Sequence, residues 1–228
     1  MTHLLEQQIG AMKESLVAMA RQAIGAVTMA VRSLVERDGE LALSVIANDA
    51  SVDRFEVDID ERAILLLAKA LLAADLRLVI VAMKISHDLE RVADEATTIA
   101  RRAISMEARP DSAQAVEIQR MADLALGMLN DAVDAFALGL PGKARAVIPR
   151  DEEVDALNSN LRRELTDAML EQRGGVNDCV NLIIASKSLE RVADHAVSAA
   201  EEVVYLCEGE NIRHAKLENP RAIRGGEA

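Results

Sequence analysis

The chain carries pairs of carboxylates at a spacing that could bind a metal ion. The segment Leu-Glu-Arg-Val-Ala-Asp begins at position 89 and begins again at position 189. In a helix, residues four positions apart lie on one face, so Glu90 neighbours Asp94 and Glu190 neighbours Asp194. Like charges at this spacing destabilise a helix by about 0.2–0.5 kcal/mol. Hard divalent or trivalent cations prefer clusters of oxygen ligands and would turn this repulsion into attraction.

A second set of paired acids precedes each repeated segment. Asp49 and Asp53 are four positions apart, and Asp151 and Asp155 stand in the same register of the second copy. Each copy therefore offers four carboxylates from two neighbouring helices to one cation site. Because the chain has 38 acidic residues in 228, about six pairs at this spacing are expected by chance. Metal binding and a solvated acidic face without metal both stay open at this point.

The duplication extends well beyond the repeated segments. Residues 19–25 match residues 121–127 at four positions with an offset of 102, and residues 45–49 match residues 147–151 at the same offset. The offset is 100 at the segments that begin at positions 89 and 189. Matches that follow one another in order along the chain indicate one fold built twice.

Good helix formers dominate the sequence, and helix-breaking residues fall at regular places. The breaks predict three long helices per copy, joined by short connections. The first two helices are predicted at about residues 5–37 and 41–72, and a short stretch at 73–75 leads into a third helix that ends near residue 108. A boundary follows at 109–112, with later breaks at 139–142 and 173–175 and a last helix at about 177–208. We therefore predict an all-α fold of two tandem antiparallel three-helix bundles. The predicted domains are residues 1–109 and 110–209, followed by a tail at 210–228 that is expected to be poorly ordered at its end.

The third helix of each copy has an apolar stripe at helical spacing, which predicts its buried face. The stripes are Ile85, Leu89, Val92, Ala96, Ile99 and Ala103 in the first copy, and Ala185, Leu189, Val192, Ala196, Ala199 and Val203 in the second. The acidic pairs of the same helices lie roughly opposite these stripes. We therefore predict that the carboxylates are surface groups whose removal costs the fold little.

Composition argues against several classes of protein. The formal net charge is −12, tryptophan is absent, and the aromatic residues are one tyrosine and two phenylalanines. A nucleic-acid-binding protein needs a basic surface and usually aromatic stacking platforms. The apolar runs are too short to span a bilayer. Cys179 and Cys207 are 28 positions apart on one predicted helix, about 40 Å, which prevents an intrachain disulfide and favours a cytoplasmic protein.

No motif points to an enzyme. The sequence lacks a P-loop, a dinucleotide-binding glycine pattern and a serine nucleophile motif. It also lacks Glu-x-x-His, which counts against a ferritin-like di-iron oxidase. His87 shares a face with Glu90 and could join a site, but we interpret it and His195 as surface histidines. A carboxylate-bridged metalloenzyme stays as the less favoured alternative.

The chain resembles the PhoU family of phosphate regulators over about residues 5–215. The resemblance rests on Asp75-Leu76-Arg77-Leu78-Val79, on both Leu-Glu-Arg-Val-Ala-Asp segments, and on Tyr205-x-x-x-Gly209 followed by Asn211-Ile212-Arg213-His214. It implies tandem three-helix bundles that bind iron, zinc, magnesium or manganese through paired E(D)-x-x-x-D motifs. The matching residues are Asp49, Asp53, Glu90, Asp94, Asp151, Asp155, Glu190 and Asp194. Ala93 and Ala193 stand where many relatives have glycine.

The resemblance also implies a function. PhoU-like proteins are non-enzymatic cytoplasmic adaptors that restrain phosphate transport and phosphate-starvation signalling. The implied partners are the ATP-binding subunit of a phosphate transporter and a phosphate-sensing histidine kinase, with a homodimer as the expected assembly. Membrane association would be peripheral and would depend on these proteins. A metal-free helical scaffold with solubilising acidic faces is the alternative.

Overall fold

The computed structural model describes residues 2–68, 72–172 and 175–213, with side chains from Leu5 onward. The described residues form α-helices and one 3₁₀ turn, and none of them lies in a β-strand. The helices are α1 (Thr2–Glu36), α2 (Gly39–Asn48), α3 (Ala50–Leu67), α4 (Ala73–Ser105), α5 (Ser112–Leu138), α6 (Pro141–Val147), α7 (Asp151–Leu170) and α8 (Val176–Glu208). Within the described part of the chain, none of these helices is long and apolar enough to cross a bilayer.

In the first half, the second predicted helix is bent and divides into α2 and α3. Asp38 begins α2, because its side chain accepts a hydrogen bond from the Leu41 N–H at 2.9 Å. The bend lies at Asp49, which keeps right-handed helical angles (φ −52°, ψ −50°). Its carbonyl accepts a hydrogen bond from the Val52 N–H, three residues on. This tight turn redirects the chain without ending its helical course.

The second half repeats the plan with stronger local signals. Asp111 and Gln114 form a reciprocal capping box at the start of α5. Gly139 ends α5 in the left-handed region at φ +66°, where a side chain would be strained. The 3₁₀ turn Ile148–Arg150 separates α6 from α7, because Pro149 has no N–H for a helical hydrogen bond. Cys179 and Cys207 both lie on α8 and are free thiols.

The predicted all-α fold is confirmed, with differences at the helix ends. Each predicted middle helix is two helices, and α3 ends at Leu67 instead of continuing to Leu72. Leu72 is an extended residue that precedes α4, so residues 73–75 form the first turn of α4. Residues 69–71, 173–174 and the tail after Arg213 lie outside the described residues. The prediction of a poorly ordered tail is therefore not addressed for that segment.

The core is continuous across both halves. All twelve residues of the two predicted apolar stripes are buried, with at most 2% of their surface exposed. α4 packs against α1, α2 and α3, and α8 packs against α5, α6 and α7. α4 and α8 also pack against each other, as α1 does against α5, so the two bundles share one hydrophobic cluster. This arrangement leaves the acidic residues of α4 and α8 beside α3 and α7.

Candidate metal centre

The helical hairpin of α3 and α4 brings the acidic residues of the first half together. The connection between the two helices is short, so α4 runs antiparallel to α3. If one residue of α3 lies beside one residue of α4, the residue seven positions later in α3 therefore lies beside the residue seven positions earlier in α4. Asp49 lies near Asp94, and Glu56 lies near His87.

Glu56, His87 and Glu90 form a compact group of metal-binding side chains. One ligand atom from each lies within 4.8 Å of the other two. His87 Nδ1 is 3.1 Å from Glu56 Oε1. The Glu90 side chain is 19% exposed and the Glu56 side chain 27%, whereas His87 is 58% exposed. The group therefore lies at the protein surface with its two carboxylates half-buried.

Glu90 carries an oxygen that the fold does not satisfy. Its Oε2 atom is buried and makes no hydrogen bond, although Arg91 Nε lies 3.4 Å away. Burial raises the pKa of Glu90, and the charges of Asp94 and Glu56 raise it further, while Arg91 acts in the opposite direction. A carboxylate in this environment is stabilised by a cation.

The other first-half acids lie one to two turns away. Burial raises the pKa of Asp49, and the charges of Asp53 and Asp94 add to this, with Thr97 and Arg101 opposing it. Asp53 is exposed and Asp49 half-buried. The charge of Asp94 raises the pKa of both Asp49 and Glu90, which links these two carboxylates electrostatically.

In the second half, Glu190 is satisfied by neighbouring side chains. Lys187 Nζ lies 2.7 Å from Glu190 Oε1, and the amide of Asn158 donates to Glu190 Oε2. Asn158 is held in turn by the Ser186 hydroxyl, which donates to its Oδ1 at 2.9 Å. Both oxygens of Glu190 therefore have donors supplied by the protein.

Asp194 and the acids of α7 form the rest of the second-half group. Partial desolvation raises the pKa of Asp194, although the residue as a whole is exposed. The charge of Glu190 raises this pKa further and that of Asp155 adds to it, while Lys187 lowers it. Asp151 lies one turn before Asp155, in the first turn of α7. The second half thus repeats the like-charge arrangement but places an ammonium group within it.

Both halves match one family profile, described as the PhoU domain, at residues 16–103 and 118–203. The chain belongs to the PhoU family. The resemblance predicted from the sequence is thereby confirmed, and it covers both bundles.

Relatives in this family are similar over nearly their whole length. A "phosphate-specific transport system accessory protein PhoU homolog" of Pseudomonas putida is 37% identical, covering 100% of this chain and 91% of the relative. A protein of the same description from Aquifex aeolicus is 36% identical over 90% of this chain and 93% of its own length. The crystal structure of PhoU from Pseudomonas aeruginosa superposes with a TM-score of 0.85 at 35% identity, covering 90% of this chain and 99% of that one.

Sequence reasoning about the PhoU motifs missed one residue of the first-half group. Glu56 is three positions after Asp53 and seven after Asp49, so it shares their helix face. That periodicity was a usable signal, but Asp58, Asp60 and Glu61 follow closely and obscure it.

Three side chains predicted to lie at the surface are less exposed than expected. The Glu90 and Glu190 side chains are 19% and 16% exposed, because α3 and α7 partly cover the face opposite each apolar stripe. His195 is not a free surface histidine either. Its Nδ1 lies 2.9 Å from Asp88 of the first half, and its side chain is 25% exposed.

The residues present in the PhoU motifs fit a bound cation, more clearly in the first half than in the second. The Oε2 atom of Glu90 makes no hydrogen bond and has only the Arg91 guanidinium at 3.4 Å, and the nearby Glu56 and His87 add further acceptor atoms. Lys187 already supplies positive charge at the corresponding place in the second half. A bound cation would contribute charge compensation between helices.

Proposed function

We propose that this protein regulates phosphate homeostasis, restraining phosphate transport and phosphate-starvation signalling without catalysing a reaction. One observation carries the proposal: both halves match the PhoU domain, and relatives matched over at least 95% of this chain are named phosphate-specific transport system accessory proteins. The site contributes charged groups and cation ligands but no nucleophile motif, which agrees with an adaptor.

The proposed partners are the ATP-binding subunit of a phosphate transporter and a phosphate-sensing histidine kinase. The protein would work in the cytoplasm as a homodimer and reach the membrane through these partners. Anionic lipid would repel a chain with a net charge of −12. Pull-down with the purified chain should therefore recover the transporter ATPase or the kinase, whereas binding to protein-free anionic vesicles should stay weak.

Deletion of the gene tests the regulatory role directly. In phosphate-rich medium, the deletion strain should take up phosphate and express phosphate-starvation genes at derepressed levels. Complementation with the intact chain should restore repression. Normal repression in the deletion strain would overturn the proposal.

We further propose that each half binds at least one cation through its carboxylates. The ligands are Asp49, Asp53, Glu90 and Asp94 in the first half, and Asp151, Asp155, Glu190 and Asp194 in the second. Iron, zinc, magnesium and manganese all accept such oxygen ligands. The raised pKa values of Asp49, Glu90 and Asp194 support this proposal, because burial and then neighbouring carboxylates destabilise the charged forms, and a cation would offset both effects.

Elemental analysis after chelation and reloading tests cation binding. The double variant Glu90→Ala, Asp94→Ala should lose the first-half ions, and Glu190→Ala, Asp194→Ala those of the second half. Replacing the exposed Glu14 and Glu61, outside the site, provides the control. A stripped protein that takes up no cation would favour the metal-free scaffold, and turnover with bound iron or manganese would favour the metalloenzyme.

A further inference from the structure

The short segment after α8 folds back on the helix. Gly209 ends α8 at φ +73°, in the left-handed region that glycine adopts without strain. Ile212 then packs against the hydrophobic core. The side-chain oxygen of Asn211 accepts hydrogen bonds from the backbone N–H and from Nε of Arg213, each at 3.1 Å, which directs the guanidinium towards α8. We call residues 209–213 the C-terminal strap.

Arg213 of the C-terminal strap binds a buried carboxylate where the two halves meet. Its Nη1 atom lies 2.5 Å from Oε1 of Glu202 on α8, a side chain that is only 4% exposed. The ammonium of Lys84 on α4 lies 3.0 Å from the same oxygen. The other oxygen, Oε2, is buried and accepts no hydrogen bond from the described residues. One buried charge of α8 is therefore paired with the strap and with the first half.

Tyr205 on α8 provides a second attachment for the C-terminal strap. The guanidinium groups of Arg213 and Arg77 lie 5.7 and 5.4 Å from the centre of its ring, within the range of cation–π attraction. Arg77 belongs to α4 and also lies beside Gly209, because a Cβ built there would be 3.2 Å from its Nη1 atom. The strap thus contacts the first half through Arg77 as well as through the carboxylate shared with Lys84.

The end of the C-terminal strap can open without leaving a buried charge unpaired. Removing the sole partner of a buried charge is strongly destabilising. When Arg213 leaves, however, Lys84 still pairs with Glu202, and water can reach the unsatisfied Oε2 atom. Arg145 of α6 holds Glu210, 2.9 Å away, near the start of the strap. The start therefore stays attached to the second half while the end moves.

We propose that the C-terminal strap opens and closes, and that in its closed state it fixes α8 against α4. Arg213 forms one wall of a cleft of about 500 Å³ between the halves, whose lining also includes Lys84, Asp88, Ser198 and Glu202. Withdrawal of Arg213 widens this cleft and leaves the buried glutamate with its first-half partner alone. The strap uses none of the proposed cation ligands, so it regulates how firmly the halves are held whether or not a cation is bound.

Hydrogen exchange of the full-length chain, followed by mass spectrometry, tests the proposal. Arg213→Gln should speed exchange in residues 205–213 by at least about tenfold, and in residues 77–84 of α4 by a smaller factor. Gly209→Ala should act in the same direction, because its side chain would be strained and would press on Arg77. Arg163→Gln, the same change of charge on the exposed face of α7, is the matched control and should alter neither segment.

A double variant tests whether Lys84 and Arg213 are alternative partners of Glu202. Lys84→Met and Arg213→Gln each leave the carboxylate one cation, whereas together they leave it none, so their combined effect on exchange should exceed the product of the single effects. Adding Glu202→Gln should remove the excess. Thermal unfolding checks that each variant folds. Unchanged exchange in Arg213→Gln, an equal acceleration throughout α1 and α5, or a combined effect equal to the product would each overturn the proposal.

Discussion

The two halves of the molecule share a backbone plan but compensate their buried glutamate differently. Glu90 has a buried oxygen without a hydrogen bond. Glu190 has Lys187 on one oxygen and Asn158 on the other. The two glutamates belong to identical six-residue segments, so the segment itself does not decide the electrostatics. The electrostatics of each glutamate depend on the side chains around it, on the adjacent helix and one turn earlier on its own helix.

The halves also reach the same bend by different means. In the second half, Pro149 removes a helical hydrogen bond and a 3₁₀ turn follows α6. In the first half no proline is present at this place, and the bend occurs at Asp49 itself. In both halves the bend directly precedes the first acidic pair. Both copies therefore have the same backbone bend, although different residues produce it.

The largest expected loss of stability follows from truncating a core leucine in either half. Leu89→Ala and Leu189→Ala each remove a fully buried side chain from α4 or α8. Each should lower the free energy of unfolding by about 2–5 kcal/mol, through lost burial and the cavity left behind. Urea unfolding measures both. A much smaller loss in one half would show that the halves do not share the continuous core described above.

These core positions were predictable from the sequence, whereas the contacts around the glutamates were less so. Apolar residues at helical spacing identified the buried faces of α4 and α8. The bend at Asp49 has no proline or glycine to mark it. The contact of His195 with Asp88 depends on how one bundle packs against the other, which no periodicity within one helix encodes. The domain boundary at 109/110 and the carboxylate ligands stay predictions.

Neutralising the two glutamates should change stability in opposite directions. Glu190→Gln removes the charge that Lys187 and Asn158 contact, and should lower the free energy of unfolding by about 1 kcal/mol. Half of the Lys187 side chain is exposed, so the ion pair itself contributes only a part. Glu90→Gln relieves repulsion from Asp94 and should raise the free energy of unfolding of metal-free protein by about 0.2–0.5 kcal/mol.

Urea unfolding of chelator-treated protein at neutral pH measures both variants side by side. Comparable destabilisation by Glu90→Gln and Glu190→Gln would remove the distinction between Glu90, which is paired with Arg91 alone, and Glu190, which has a donor on each oxygen. Loading with Zn²⁺ sharpens the test, because bound metal should stabilise the intact chain more than Glu90→Gln.

The two histidines occupy different kinds of position. His195 lies at the contact between the halves, whereas His87 lies within the first half. His195→Ala removes the contact with Asp88 and should cost about 0.5–1.5 kcal/mol. His87→Ala, at a side chain that is 58% exposed, should change the stability of metal-free protein by less than about 0.5 kcal/mol. Thermal unfolding of the two variants checks this order. Equal losses would contradict the assignment of His195 to the contact between the halves.

The smallest expected effect is a change in the pH dependence of stability. Burial, followed by the charge of Asp94, raises the pKa of Glu90 above its ordinary value of 4.5. The folded state therefore holds this proton more tightly than the unfolded state does. Protonation of Glu90 stabilises the fold, and this contribution is lost as the pH rises from 4.5 through the folded-state pKa.

Glu90→Gln should remove this contribution and flatten the decline in stability over that pH range. The experiment compares the free energy of unfolding of metal-free protein at several pH values between 4.5 and neutrality, for the intact chain, Glu90→Gln and the control Glu61→Gln. Other titrating groups are common to all three proteins, so the difference between curves isolates Glu90. Parallel curves for the intact chain and Glu90→Gln would mean that Glu90 is already compensated, and the two halves would then be electrostatically alike.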